Sequence, residues 1–101
     1  MVKYIKVNKE SLPVSISYYA LEKLKQETGK SLGDWNENDI SYLEPLFFYA
    51  LEAGFKAEKK VFEIKREDVI FMLDECWLDF TALITDFFTE ITVGNQKKVK
   101  K

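Results

Sequence analysis

The stretch REDVIFMLDECWLDFTALITDFFTEITV, residues 66–93, carries the strongest periodic pattern in the chain. Its apolar residues recur at alternating intervals of four and three, which is the spacing of one face of an α-helix. The central row at these intervals consists of Val69, Leu73, Cys76, Phe80, Leu83 and Phe87. The stretch therefore predicts a long amphipathic helix, unbroken or broken near Cys76, whose central row faces the core.

A second apolar row lies beside the first and consists of Ile70, Trp77, Ile84 and Ile91, at intervals of seven. The two rows together form an apolar arc of about 160°, which is wider than one packing partner needs. Two further large residues, Phe71 and Leu78, fall on the opposite, acidic face. We therefore expect an exposed apolar surface that binds a partner or a second copy of the chain. The residues assigned to it are Phe71, Trp77, Leu78, Ile84 and Phe88.

The charge pattern also sets this stretch apart. Residues 67–93 contain seven acidic residues and no basic one, whereas residues 97–101 contribute four lysines. An acidic folded part argues against general nucleic-acid binding. Apart from Val99, residues 95–101 are polar or basic, so they predict a basic disordered tail. Residues 1–94 are expected to form a single domain.

Residues 2–16 predict a β-hairpin. Residues 2–7 are rich in β-formers and alternate roughly, residues 8–11 have turn composition, and residues 12–16 return as a second strand. Pro13 has no N–H to donate to a ladder, which places this second strand at a sheet edge. A two-stranded hairpin is marginal alone, so we expect it to pack on the helices.

Two shorter helices are predicted between the hairpin and the long helix. The first begins at Ser17, a suitable N-cap, and is closed by Gly29. The second lies within residues 39–53 and is expected to stop at Gly54. Because proline in a helix interior costs about 3 kcal/mol, we place Pro45 at the first helical position, after a separate short turn. The predicted fold class is mainly α (α+β), with an N-terminal β-hairpin followed by three to four helices.

The connection over residues 55–64 contains three lysines and predicts a basic, exposed link before the long helix. The longest apolar run of the chain is six residues, at 46–51, whereas a transmembrane helix needs about 20. The N-terminus carries lysines and no apolar segment of the kind found in signal peptides. We therefore expect a cytoplasmic protein that does not enter a membrane.

The composition excludes most familiar catalytic sites. The chain has no histidine, one cysteine and four glycines. Without histidine there is no Ser-His-Asp or Cys-His machinery and no histidine ligand for zinc. A single cysteine forms neither an intrachain disulfide nor a CxxC metal site. We therefore expect no enzyme activity, no cofactor and no metal, and a role in binding or assembly.

Two short motifs resemble binding sites but lack the residues that define them. Gly29-Lys30-Ser31 matches the end of a Walker A loop, but the first glycine of that motif is replaced by Leu24. Asp34-x-Asn36-x-Asn38 matches the start of an EF-hand loop, but the sixth position is Asp39 and the twelfth is Pro45. We interpret the first motif as a helix C-cap with a turn, and the second as turn and N-cap chemistry.

The order strand, turn, strand, helix, followed by LEKLKQETGKSLG at residues 21–33, resembles the N-terminal half of the tail assembly chaperones of long-tailed (siphovirus-type) bacteriophages. YALEAG at residues 49–54 is similar to the end of that family's second helix. IKREDV at residues 64–69 resembles the start of its next helix. The resemblance covers about residues 2–92, and Pro45 departs from the family's second helix.

The resemblance implies a non-enzymatic protein of the host cytoplasm that is absent from the mature virion. Such proteins bind the tape measure protein, keep it soluble and help recruit tail tube subunits. The implied partners are the tape measure and tail tube proteins, and a homo-oligomer is expected. An alternative from another class is a small acidic phage or bacterial regulatory protein that inhibits a partner by helix docking. A neighbouring gene for a tape measure protein would distinguish the two.

Overall fold

The computed structural model describes residues 2–35 and 39–100, with side chains described up to Glu90. Its elements are β1 (Lys3–Val7), β2 (Glu10–Val14), α1 (Tyr18–Thr28), a 3₁₀ turn (Leu32–Asp34), α2 (Leu43–Ala57) and α3 (Arg66–Lys100). The predicted fold class is confirmed, since a two-stranded antiparallel hairpin precedes three α-helices, of which the last is the longest. This last helix runs unbroken past Cys76. The predicted tail, residues 95–101, lies outside the residues whose side chains are described.

The hairpin reverses direction more tightly than predicted. Instead of a turn over residues 8–11, only Asn8 and Lys9 separate the two strands, with φ of 52° and 68°. Positive φ at both residues is the geometry of a two-residue type I′ loop, whose twist matches that of the flanking strands. The backbone N–H of Asn8 donates to a carboxylate oxygen of Glu75 on α3, at 3.0 Å. The tip of the hairpin is therefore held against the long helix.

The first helix ends as the sequence predicts. The Ser17 hydroxyl accepts a hydrogen bond from the N–H of Ala20 at 3.3 Å. At the other end, Gly29 adopts φ of 79°, and its N–H donates to the carbonyl of Lys25 at 2.7 Å. Both helix ends are satisfied by local groups, which is why they could be read from the sequence.

The prediction that the second helix stops at Gly54 is wrong, because α2 continues through this residue to Ala57. The reason is a close crossing with the hairpin. A Cβ atom at Gly54 would lie 2.3 Å from the carbonyl oxygen of Pro13. Beside this crossing, the N–H of Ser15 donates to the carbonyl of Ala50 at 2.9 Å. The glycine therefore provides room for β2 rather than a helix end.

The start of α2 differs from the prediction by two residues. The helix begins at Leu43, so Pro45 occupies its third position rather than its first. The missing N–H still costs no hydrogen bond, since the first four N–H groups of a helix have no acceptor within it. The N–H of Leu43 donates to the carbonyl of Ile40 at 3.0 Å, so the predicted separate turn before the helix is present.

The link over residues 55–64 is less exposed than predicted. Phe55 belongs to α2 and is half-buried, with its ring centroid 5.4 Å from that of Phe62. Phe62 in turn lies 5.5 Å from Phe48. Ile64 is also half-buried, while the three lysines of the link are exposed. Apolar side chains spaced between the lysines therefore fold this link back onto α2.

The core lies between α2, the hairpin, α1 and the inward face of α3. At its centre, the rings of Phe47 and Phe80 are 4.8 Å apart. The buried residues of α3 are Val69, Leu73, Cys76, Phe80 and Ile84. The predicted central row is therefore correct as far as Phe80, whereas beyond it Leu83 and Phe87 are only half-buried. A straight α-helix drifts by about 20° per seven residues relative to a 4-3 row, and this drift turns Ile84 inward in their place.

Candidate partner-binding surface

Five large apolar side chains of α3 are exposed on one flank of the helix. Their exposed fractions range from 41% for Trp77 to 70% for Phe71. At 100° per residue they fall within a sector of about 120°. From Ile70 to Phe88 they extend over about 27 Å at 1.5 Å per residue. This set, which we call the apolar strip, consists of Ile70, Phe71, Trp77, Leu78 and Phe88.

The strip contains four of the five residues assigned to a partner surface from the sequence, which are Phe71, Trp77, Leu78 and Phe88. The fifth, Ile84, is only 5% exposed and packs in the core, so the sequence placed it on the wrong side of the helix. Ile70 was missed although it is 57% exposed. It belongs, with Trp77, to the apolar row at intervals of seven residues, so the spacing alone could have predicted its exposure. Ile91, the last member of that row, lies outside the residues whose side chains are described.

Three threonines follow one another at successive turns between the apolar residues of this flank. The hydroxyls of Thr81, Thr85 and Thr89 donate to the backbone carbonyls four residues earlier, at 2.8, 3.2 and 3.0 Å. Their hydrogen-bonding groups are therefore satisfied within the helix. Burying a polar group is costly mainly when it is left without a hydrogen bond. A partner can therefore cover these threonines at little cost.

The acidic residues of α3 lie mostly on its other exposed flank. There the carboxylate of Glu75 accepts the N–H of Asn8, and Glu90 forms an ion pair of 3.1 Å with Lys3 on β1. The acidic residues of this flank are Asp68, Glu75, Asp79, Asp86 and Glu90. The other two acidic residues, Glu67 and Asp74, are exposed within one turn of Phe71 and Leu78, so acidic side chains do accompany these two apolar residues as predicted. Most of the acidic residues, however, lie on the flank that is turned toward the hairpin.

At its N-terminal end the strip opens into a groove between α3 and the start of α2. The groove has a volume of about 570 Å³. Its floor is formed by Leu43 and Leu73, which are buried, and its walls by Ile40, Ile70 and Trp77, which are exposed. This α2–α3 groove is largely apolar and open to solvent, and Ser41, Glu44 and Asp74 complete its lining. It could receive a large apolar side chain from a partner.

Beside this groove, Arg66 at the start of α3 connects the helix to α1 and α2. Its guanidinium donates to both carboxylate oxygens of Glu27 on α1 and of Glu44 on α2. The Tyr49 hydroxyl also donates to Glu27, at 2.9 Å, and the guanidinium lies 5.2 Å from the ring centroid of Phe48. The hydrogen bonds from Arg66 lower the pKa of the Glu27 carboxyl below its ordinary value. The cluster thus links all three helices.

The two motifs that resemble parts of a Walker A loop and an EF-hand loop have structural roles in the described residues. Gly29 is the C-cap of α1, and the N–H of Ser31 donates to the carboxylate of Asp34 at 3.1 Å, within a capping box. The carboxylate that would begin an EF-hand loop is thus used by its own turn. The rest of that loop, residues 36–38, lies outside the described residues. In the described part of the chain no group of three or more His, Cys, Asp or Glu residues is arranged to hold a metal ion.

The single thiol belongs to the packed face of α3. Cys76 is only 1% exposed. Burial, and to a lesser extent the neighbouring carboxylates of Asp79 and Glu75, raise its pKa to about 11. At neutral pH the thiol is therefore protonated and enclosed, which makes it a poor nucleophile.

Comparison with known proteins adds no family assignment, since neither a protein-family model, nor a curated protein, nor a solved structure matches this chain. None of the helices in the described residues is both long enough and apolar enough to cross a membrane.

Proposed function

We propose that this protein is a tail assembly chaperone of a long-tailed phage, which binds the tape measure protein, keeps it soluble and helps recruit tail tube subunits. The observation that carries the proposal is the apolar strip. A small protein whose longest helix exposes a row of large apolar residues is suited to cover a similar surface on a partner. The resemblance of residues 2–92 to the tail assembly chaperones supplies the identity of that partner.

The expected client matches the strip in shape. A tape measure protein is a long helical chain whose apolar stripes would aggregate if they were left uncovered. The strip extends over about 27 Å, which corresponds to about five turns of a client helix. Its threonine hydroxyls are already bonded within α3. The interaction therefore requires apolar packing along a helix rather than a closed pocket with converging polar groups.

The proposal includes the assembly and location of the protein. It acts in the host cytoplasm as a homo-oligomer, without enzymatic activity, and leaves the tail before the virion is complete. Several copies along one client would cover a longer apolar stripe than one strip covers. The acidic flank of α3 keeps such copies soluble through mutual repulsion. A purified virion that contains the protein in stoichiometric amounts would instead identify it as a structural component of the tail.

The test is co-expression with the tape measure protein encoded in the same phage genome. We expect the wild-type protein to increase the soluble fraction of the tape measure protein and to co-purify with it. Phe71→Asp and Leu78→Asp place a charge in the strip, so both variants should fold but lose this activity. Tyr18→Asp is the matched control, because Tyr18 is 81% exposed and lies on α1, outside the strip.

Two results would contradict the proposal. If the wild-type protein leaves the tape measure protein insoluble, the chaperone function is excluded, and inhibition of another partner becomes the better hypothesis. If Phe71→Asp and Leu78→Asp protect the tape measure protein as well as Tyr18→Asp does, the strip is not the client surface.

A further inference from the structure

The α2–α3 groove differs from the rest of the strip because it can enclose a side chain. Ile70 and Trp77 stand on the same face of α3, two turns apart, and Ile40 faces them from the turn before α2. Leu43 and Leu73 close the bottom. A cleft of about 570 Å³ lies within the size range of specific binding sites in proteins. A partner helix that lies along the strip would therefore gain an anchor point here.

The rim of the groove carries an acidic group that is available to a partner. Of its polar side chains, Glu44 is bound by Arg66, and the Ser41 hydroxyl donates to Asp39 at 2.6 Å. Asp74 lies between Ile70 and Trp77 along α3 and forms no ion pair with any described residue. A cationic side chain of a partner would thus find Asp74 beside the apolar anchor site.

We propose that the α2–α3 groove binds an amphipathic helix that inserts a large apolar side chain between Ile70 and Trp77 and places a lysine or arginine beside Asp74. Residues three or four apart on a helix lie side by side on its surface. The partner therefore carries its base three or four residues from its anchor. This inference rests on the proposed function only in taking that helix to belong to the client.

Charge complementarity favours a basic partner helix over a second copy of α3. On the flank of α3 that holds the strip, the charged residues within 66–90 are Glu67 and Asp74, both acidic, so the same flank of a second copy would bring like charges to the rim. The one basic run near the end of the chain, residues 97–101, has Val99 as its only apolar residue. Valine is too small to fill a cleft of this volume. Neither the exposed flank of α3 from a second copy nor this basic run is therefore a good occupant of the groove.

The experiment uses a fluorescein-labelled amphipathic peptide of about 18 residues with a leucine stripe flanked by lysines, and an otherwise identical peptide flanked by glutamates. Binding to the full-length protein is measured by fluorescence anisotropy. We expect the lysine peptide to bind at least about tenfold more tightly than the glutamate peptide. Trp77→Ala should weaken the binding of the lysine peptide because it removes one wall of the groove.

The charge at the rim is tested by Asp74→Lys, with Asp79→Lys as the matched control. Both residues are exposed on α3 and both changes alter the net charge equally, but Asp79 lies on the acidic flank outside the groove. We expect Asp74→Lys to weaken binding of the lysine peptide by about tenfold and to improve binding of the glutamate peptide. Asp79→Lys should change both affinities by less than about threefold.

Two results would overturn the inference. Equal effects of Asp74→Lys and Asp79→Lys would show that only overall charge matters, and absence of binding by the lysine peptide would show that the groove accepts no such helix. Neither result depends on the tape measure protein. Conversely, a protein that binds the lysine peptide through Asp74 but leaves the tape measure protein insoluble would retain this inference and exclude the proposed chaperone function.

Discussion

The buried side chains of α3 and those of its apolar strip are all apolar or weakly polar, but their surroundings are opposite. Phe80 on the inward side is completely buried against Phe47, whereas Phe71 on the outward side is 70% exposed. The same helix therefore contributes both to the core of the domain and to an exposed apolar surface. If the strip binds a partner as proposed, stability and partner binding depend on different faces of one helix, and substitutions should separate them.

The largest effect is expected from Phe80→Ala. Phe80 is fully buried at the centre of the core, and truncation of such a side chain costs about 3–5 kcal/mol of unfolding free energy. Phe88→Ala is the matched control on the strip and should cost less than about 1 kcal/mol, because 44% of this residue is exposed whereas Phe80 is fully buried. Chemical denaturation followed by circular dichroism measures both. Equal losses of unfolding free energy in the two variants would mean that the strip contributes to stability as much as the buried side of α3 does.

A smaller but decisive effect is expected from Ile84→Ala. The apolar row at intervals of seven residues places Ile84 beside Trp77, whereas in the structure Ile84 is buried. Truncation should therefore cost about 2–4 kcal/mol and leave partner binding by the folded fraction unchanged. Leu78→Ala, at an exposed position, should change the unfolding free energy by less than about 0.5 kcal/mol. If Ile84→Ala proves neutral for stability and weakens association, Ile84 belongs to the strip after all.

Local chemistry explains which parts of the fold could be predicted. Ser17 and Gly29 cap α1 with groups that lie within a few residues of one another, so the sequence contains the whole interaction. Gly54 fits the same C-cap pattern, but its role is to let Pro13 approach α2. Because that approach depends on the packing of β2, no pattern within the helix could reveal it.

The candidate site was predictable in part for a similar reason. Helical periodicity identified most of the strip, since exposure on a long helix repeats along the sequence. The inward drift that buries Ile84 follows from the 3.6-residue period of a straight α-helix, so a row drawn at strict intervals of seven misplaces this residue. The α2–α3 groove could not be predicted, because Ile40 reaches it from a turn and Leu43 from another helix. Periodicity in the sequence therefore predicts which face of α3 is exposed, whereas the groove on that face depends on how α2 packs against the helix.

An intermediate effect is expected at acidic pH, where the cluster that positions α3 loses a charge. The pKa of Glu27 is lowered in the folded protein, chiefly by hydrogen bonds from Arg66. The corresponding stability is fully present above the ordinary carboxyl pKa of 4.5 and is lost as the pH falls through the lower folded-state pKa. Because the pair is partly exposed, solvent screening limits its contribution to about 1 kcal/mol or less.

The variant Glu27→Gln identifies this contribution. It removes the titrating group, so its unfolding free energy should fall less steeply below pH 4.5 than that of the wild type. Glu22→Gln, at an exposed position on the same helix, is the control for the loss of one carboxylate from α1. Denaturation midpoints across the acidic range measure this difference. Identical slopes for both variants would show that the contact of Arg66 with Glu27 does not stabilise the fold.

The smallest effect on stability, and the largest on association, is expected from Phe71→Asp and Leu78→Asp. Both side chains are about two-thirds exposed, at 70% and 67%, so a carboxylate at either position stays in water. The unfolding free energy should therefore change by less than about 0.5 kcal/mol. Light scattering should give a mass above that of one chain for the wild type and a lower mass for both variants, because a charge within the strip opposes its burial against another copy.

A wild-type protein that stays monomeric at high concentration would contradict self-association through the strip, and the strip would then serve the client alone. Unfolding of either variant would instead mean that the exposed flank of α3 is needed for stability. The buried residues of α3 and the apolar strip would then not have separate roles.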